Sequence, residues 1–153
     1  MTILFGMPAH ALLIHAIVVL APLLAGLEIL CAVWPAARRR FVWLNLALAA
    51  AVMVLTPLTI QAGEWLFDQV SSPSAILQTH QERGEWMIYL AGALLVVAIV
   101  QAFQHRRESR AGEQKRMLAV IAAVLAIVVG VGSTIGVVLI GDTGARAVWS
   151  KKK

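Results

Sequence analysis

The sequence predicts an all-α integral membrane protein, a four-helix bundle with both termini on the extracytoplasmic side, and three observations carry that prediction. Of the 153 residues, 60% are hydrophobic and only 14% charged, against about a quarter charged in an ordinary soluble domain. With a mean hydropathy of +0.82, the chain lacks the polar surface to coat a water-soluble globule. The apolar residues fall in four blocks of about 20 or more, the length at which a helix crosses the hydrocarbon of a bilayer, and not in the alternating short runs of a β-barrel. The basic residues gather beside alternate block ends, which sets the orientation. One domain, 1–153, is expected, with helices at about 9–34, 41–60, 74–105 and 117–140.

The first helix, 9–34, opens at Pro8 and closes at Pro35, both suited to helix ends, and spans about 39 Å. Pro22 at its centre removes one backbone bond and predicts a kink. Residues 1–10 contain no Lys or Arg, so the basic start of a secretory signal is missing and the helix is expected to be retained. Cys31 is the single cysteine, which rules out an internal disulfide, a Cys-x-x-Cys redox pair and a Cys-x-x-Cys-His haem attachment.

The second helix, 41–60, carries Leu46-Ala47-Leu48-Ala49-Ala50-Ala51, small residues that let membrane helices approach. After Pro57, the stretch Gln61-Ala62-Gly63-Glu64-Trp65-Leu66-Phe67-Asp68 reads as a short amphipathic segment at the membrane surface. Ser71-Ser72-Pro73-Ser74 is a turn into the third helix, whose apolar part begins at Trp86. If continuous from Pro73 it would be roughly 50 Å long, so its first dozen residues stand clear of the lipid unless Gly84 breaks it. The fourth helix, 117–140, contains Gly132-Ser133-Thr134-Ile135-Gly136, with Ala126 and Gly130 before it. This small-residue face predicts a packing seam within the bundle or a homo-oligomer contact. No internal repeat is evident. Trp34, Trp43, Trp65, Trp86 and Trp149 near helix ends read as an interfacial aromatic belt.

Arg38-Arg39-Arg40 joins helices one and two, and Arg106, Arg107, Arg110, Lys115 and Arg116 join helices three and four. The opposite side has Arg83, Arg146 and the terminal Lys151, Lys152 and Lys153. The positive-inside rule then puts the Arg-rich loops in the cytoplasm. The net charge of +5 therefore reads as topology and anionic-lipid contact, not nucleic-acid binding.

That orientation sorts the chemistry-bearing residues. His10, His15, His80, Glu64 and Asp142 fall at the outer end, and His105 joins the inner Arg cluster. His15 lies about five residues into an apolar helix, where a polar side chain is costly unless it finds a partner. Thr56, Thr59 or a carbonyl freed by Pro22 would satisfy it as a neutral imidazole. His10 and His15 are about 140° apart around a regular helix, so one is the ligand and the other a supporting or surface residue, and the sequence leaves open which. Imidazoles converging from facing helices suit haem iron, copper or zinc. The expected pair is His15 or His10 with His80, holding haem b, or a copper or zinc ion with Glu64 nearby. Gly84, Gly132 and Gly136 are the small residues that would let a flat macrocycle approach the backbone. Glu28, in the inner half of helix one, is a proton-relay candidate, with Asn45 and Gln101 expected as its hydrogen-bond partners. A neutral packing residue is the plainer reading of it.

The stretches Met7-Pro8-Ala9-His10 with Ile14-His15, Gln61-Ala62-Gly63-Glu64, His80-Gln81-Glu82-Arg83-Gly84 and Ile140-Gly141-Asp142-Thr143-Gly144-Ala145 together resemble the bacterial membrane-protein family named domain of unknown function 2231. The resemblance covers nearly the whole chain and implies a small four-helix membrane protein. It departs where the family commonly has His-Pro and this chain has Pro8-Ala9-His10-Ala11. Some relatives look like fusions to iron–sulfur or other electron-transfer domains, which implies a redox role at the outer face beside other electron-transfer subunits. No Ser-His-Asp, zinc-protease or phosphate-loop pattern is present, so a hydrolase is disfavoured. Two rival readings stand: a cofactor-free accessory subunit whose histidines hold helix ends together, and a small proton-coupled transporter with Glu28 and His15 in one polar path.

Overall fold

A computed structural model describes residues 3–4, 7–111 and 116–149. Lys115 and the tail 151–153, which entered the charge argument, lie outside them. Two two-residue strands, β1 (Ile3–Leu4) and β2 (Met7–Pro8), pair antiparallel. Five helices follow: α1 (Ala9–Val33), α2 (Pro35–Asp68), α3 (Ala75–Glu85), α4 (Met87–Ala111) and α5 (Arg116–Trp149). Four stretches are long and apolar enough to cross a membrane, namely α1, α2, α3 with α4, and α5. The chain is a membrane protein of four spans. Its surface is the expected inversion of a soluble fold, with Val19, Val54, Val96, Val128 and Val138 each about 60% exposed, facing what lipid would cover.

The helices are longer than the apolar blocks. Pro35 takes a first-turn position, where its missing N–H costs nothing, so α2 starts six residues before the expected boundary and the Arg38–Arg40 stretch is helical, not loop. Pro57 does not end α2, which continues through Gln61 to Asp68 as one rod. The amphipathic segment is thus the end of a spanning helix and not a separate surface element. At 34 residues, α2 and α5 are each about 51 Å long, so each stands well beyond a hydrocarbon core about 30 Å thick. The third span breaks at Trp86, not Gly84. Its start at Ala75 is capped by the Ser74 hydroxyl, which accepts from the Leu77 N–H at 3.3 Å.

Around the bundle, α1 packs on α2 and α5, and α4 packs on the same two from the other side, leaving α1 and α4 in lesser diagonal contact. The core is built of small and branched residues: Ala21, Leu24, Ala25, Ala49, Val52, Ala91, Leu94 and Ala98 are buried together. On α5 the buried stripe runs Ala122, Ala126, Gly130, Ser133 and Val137. Gly130 sits so close to α1 that a Cβ there would lie 3.0 Å from Ile29, so this stripe is a seam within the bundle. Gly132 is not on it: the residue is exposed and no atom lies within 4 Å of where a Cβ would be.

Candidate functional site

At one end of the bundle the start of α1, the end of α2, the polar helix α3 and the end of α5 meet. His10, in the first turn of α1, donates its Nδ1–H to the Thr59 carbonyl of α2 at 3.0 Å. His80, mid-way along α3, donates its Nδ1–H to the Ile140 carbonyl of α5 at 3.1 Å, with the Thr143 hydroxyl 3.4 Å away. The two imidazoles come together with ring centroids 6.3 Å apart and planes at 78°. Since each Nδ1 carries the donated proton, Nε2 of each neutral ring keeps its lone pair. That is the usual state of a ligating histidine, whose other nitrogen is held by a carbonyl.

Each imidazole rests on a glycine. A Cβ at Gly63 would lie 2.9 Å from His10 Cε1, and one at Gly144 would lie 2.9 Å from His80 Cε1. Gly63 is four residues after Thr59 and Gly144 four after Ile140, so each carbonyl that takes a histidine N–H is the one bonded within its helix to that glycine's amide. Both helices present the same cradle: a carbonyl that accepts from the ring as well as from its own helix, joined at Ile140 by the Thr143 hydroxyl, and a missing side chain one turn on that gives the ring room to reach it. The sequence reading pointed instead to Gly84, Gly132 and Gly136. Of these, Gly84 and Gly132 have no atom near the Cβ position and Gly136 packs against Leu90.

The remaining candidates lie elsewhere. His15 is exposed and donates Nδ1–H to the carbonyl of Ala11 in its own helix. That satisfies its donor without Thr56 or Thr59, whose hydroxyls bond Val52 and Leu55 within α2. Glu64 is exposed and lines an open groove of about 510 Å³ with Gln61, Glu85, Trp86 and Tyr89. Among the described residues no group of three or more His, Cys, Asp or Glu side chains is placed to hold a metal ion. Asp142 pairs with Arg146 on the surface.

The opposite end is organised by charge. Arg38 is buried, its Nη2 donating to both oxygens of Glu108 at 2.9 Å and its Nη1 to the Cys31 carbonyl at 3.1 Å. Gln104 adds a bond to Glu108 at 3.0 Å. Deeper, Gln101 Nε2 donates to the backbone carbonyl of Glu28 at 2.7 Å, and Asn45 Nδ2 donates to Gln101 Oε1 at 3.3 Å. Asn45 and Gln101 thus stand at the depth of Glu28, as expected, but they bind its backbone and each other, not its carboxyl. Arg38 and Glu108 were not singled out in the sequence. The exposed Arg40 and Arg106 stack on Phe41 and Trp43, and His105 meets Trp43 edge-on.

Fold and site together define a four-span membrane protein with an inter-helix histidine pair at one end and a buried ion pair at the other. The family model described as "Predicted membrane protein (DUF2231)" matches residues 6–152, and the chain belongs to that family. No curated protein and no solved structure matches it.

Proposed function

We propose that the protein binds haem b between His10 and His80, as a one-electron carrier that serves as a subunit or partner of an electron-transfer assembly. The observation that carries this reading is the His10–His80 pair, with both Nδ1 atoms committed to carbonyls and ring centroids 6.3 Å apart. His10 and His80 would hold the iron through Nε2, the nitrogen that each ring leaves free when Nδ1–H is donated to a carbonyl. Structural and catalytic zinc sites call on three or four protein ligands, and among the described residues only two imidazoles converge here, which is all that haem needs. Copper or zinc is the less favoured occupant.

When bound, haem supplies reversible one-electron transfer at its iron; the protein's own part is to hold the two imidazoles and fix their tautomers. The positive-inside rule puts this end on the extracytoplasmic side of a bacterial cytoplasmic membrane, so the electron partner is expected there. The cofactor-free accessory reading rests on the same two carbonyl bonds, which satisfy each ring's N–H without an ion.

The absorption spectrum of the protein purified from haem-sufficient cells separates the two. A Soret band is expected in the wild type and in His15→Ala, and its loss in His10→Ala and in His80→Ala. A colourless wild type, or a band that needs His15 and not His80, overturns the assignment.

A further inference from the structure

At the other end of the bundle Glu28 has no counterpart in the histidine site. It lies in the second half of α1, fully buried, and neither Oε1 nor Oε2 has a hydrogen-bond partner. A carboxylate in a membrane core is tolerated only when paired, and among the described residues no cation donates to either oxygen. On its own helix the neighbouring titratable group is Cys31, one turn on, whose thiol contacts Asn45 and lies within electrostatic reach of Glu28 and Arg38. From α2 comes Arg38, two of whose nitrogens are spent on Glu108 and on the Cys31 carbonyl, with Nε left over. From α4 come Gln101, which takes the Glu28 backbone, and Glu108, which is satisfied by Arg38 and Gln104. Among the described residues α5 buries only Ser133 and Thr143 as polar groups, and no charge. The Asn45 amide oxygen is also buried without a partner.

Two unpartnered carboxyl oxygens among amides, with no donor aimed at them, need a proton of their own. We propose that Glu28 is a membrane-embedded proton-binding site, neutral at rest, which exchanges its proton with water at the Arg-rich end past the Arg38–Glu108 pair. Binding joins one proton to one carboxylate oxygen and release returns it to water, so no other reactant is needed. Arg38, held by Glu108, is the buried guanidinium of the Arg-rich end, and Cys31 lies within electrostatic reach of both Arg38 and Glu28. The site is independent of whether the histidine pair holds haem.

Dicyclohexylcarbodiimide, which couples to protonated carboxyls in apolar surroundings, tests this on the full-length protein in detergent or liposomes, read by peptide mass. The adduct is expected on Glu28, forming at least about tenfold more slowly at about pH 9.5 than at about pH 6.5 as the carboxyl ionises, and absent from Glu28→Gln. Infrared difference spectra of the wild type give a second readout that needs no variant: a protonated-carboxyl C=O band that fades as pH rises. No adduct on Glu28 together with a carboxyl band indifferent to pH overturns the proposal. So does an adduct formed at the same rate at both pH values. Protection by sodium ions at fixed pH overturns the proton as ligand and replaces it with a monovalent cation.

Discussion

At the scale of single residues the decisive ones are two glycines. Gly63 and Gly144 leave the space that His10 and His80 occupy, and a methyl at either would sit 2.9 Å from an imidazole carbon, closer than a relaxed contact. Two opposed effects decide what Gly→Ala does. Alanine gains about 1 kcal/mol of helix propensity over glycine, while overpacking costs typically 1–3 kcal/mol. Gly63→Ala and Gly144→Ala should therefore change global stability by no more than about 2 kcal/mol, yet push the ring off its carbonyl. The expected outcome is a near-normal unfolding curve in detergent with a bound-cofactor spectrum weakened or lost. The same loss with global unfolding would show that the glycines serve packing alone. The sequence placed the histidines at one end but could not tell His10 from His15. What separates them is the partner each ring reaches: a carbonyl on another helix for His10, its own helix for His15. Contacts 49 residues apart leave no local signal.

At the scale of elements, the spans were legible because about 20 apolar residues in a row have one cheap solution in a bilayer. Their ends were less so. Pro35 and Pro57 look like boundaries, and Pro57 is not one; the lost bond of a proline within a membrane helix is tolerated when neighbours re-satisfy the freed group. Arg38 was read as loop for the same reason, since hydropathy cannot distinguish a charge in water from one buried against a partner 70 residues on. Its burial makes a prediction. Removing the guanidinium leaves Glu108 and the Cys31 carbonyl without their donor, so Arg38→Ala should cost about 3–5 kcal/mol, read as a fall in the unfolding midpoint in mixed micelles. The pair Arg38→Met with Glu108→Leu keeps the volume and removes both charges, and should recover most of that loss. If the single and double variants are equally unstable, the ion pair is not what joins α2 to α4.

At the scale of the molecule, the two ends are built differently, and this follows from the order of helices. Antiparallel neighbours bring the start of α1 beside the end of α2, and α3 beside the end of α5, so each half of the chain contributes one histidine and one carbonyl–glycine cradle. No repeat is visible in the sequence because equivalence needs only a glycine four residues past an accepting carbonyl, Thr59 to Gly63 and Ile140 to Gly144, with nothing alike between. The charge asymmetry then predicts which end faces which compartment. Arg39, Arg40, Arg106, Arg107 and Arg110 are exposed at the end opposite the histidines, and cationic loops are held on the cytoplasmic side during insertion. Cys31 is buried, so it should stay silent to a membrane-impermeant maleimide and leave an introduced thiol as the only reporter. Ser72 lies in the exposed turn between α2 and α3, and Ser109 is exposed near the end of α4. In intact cells Ser72→Cys should be labelled and Ser109→Cys should not, with the second labelled only after permeabilisation. The reverse pattern would turn the protein over in the membrane, put the histidine pair on the cytoplasmic side, and require that the proposed electron partner be sought there.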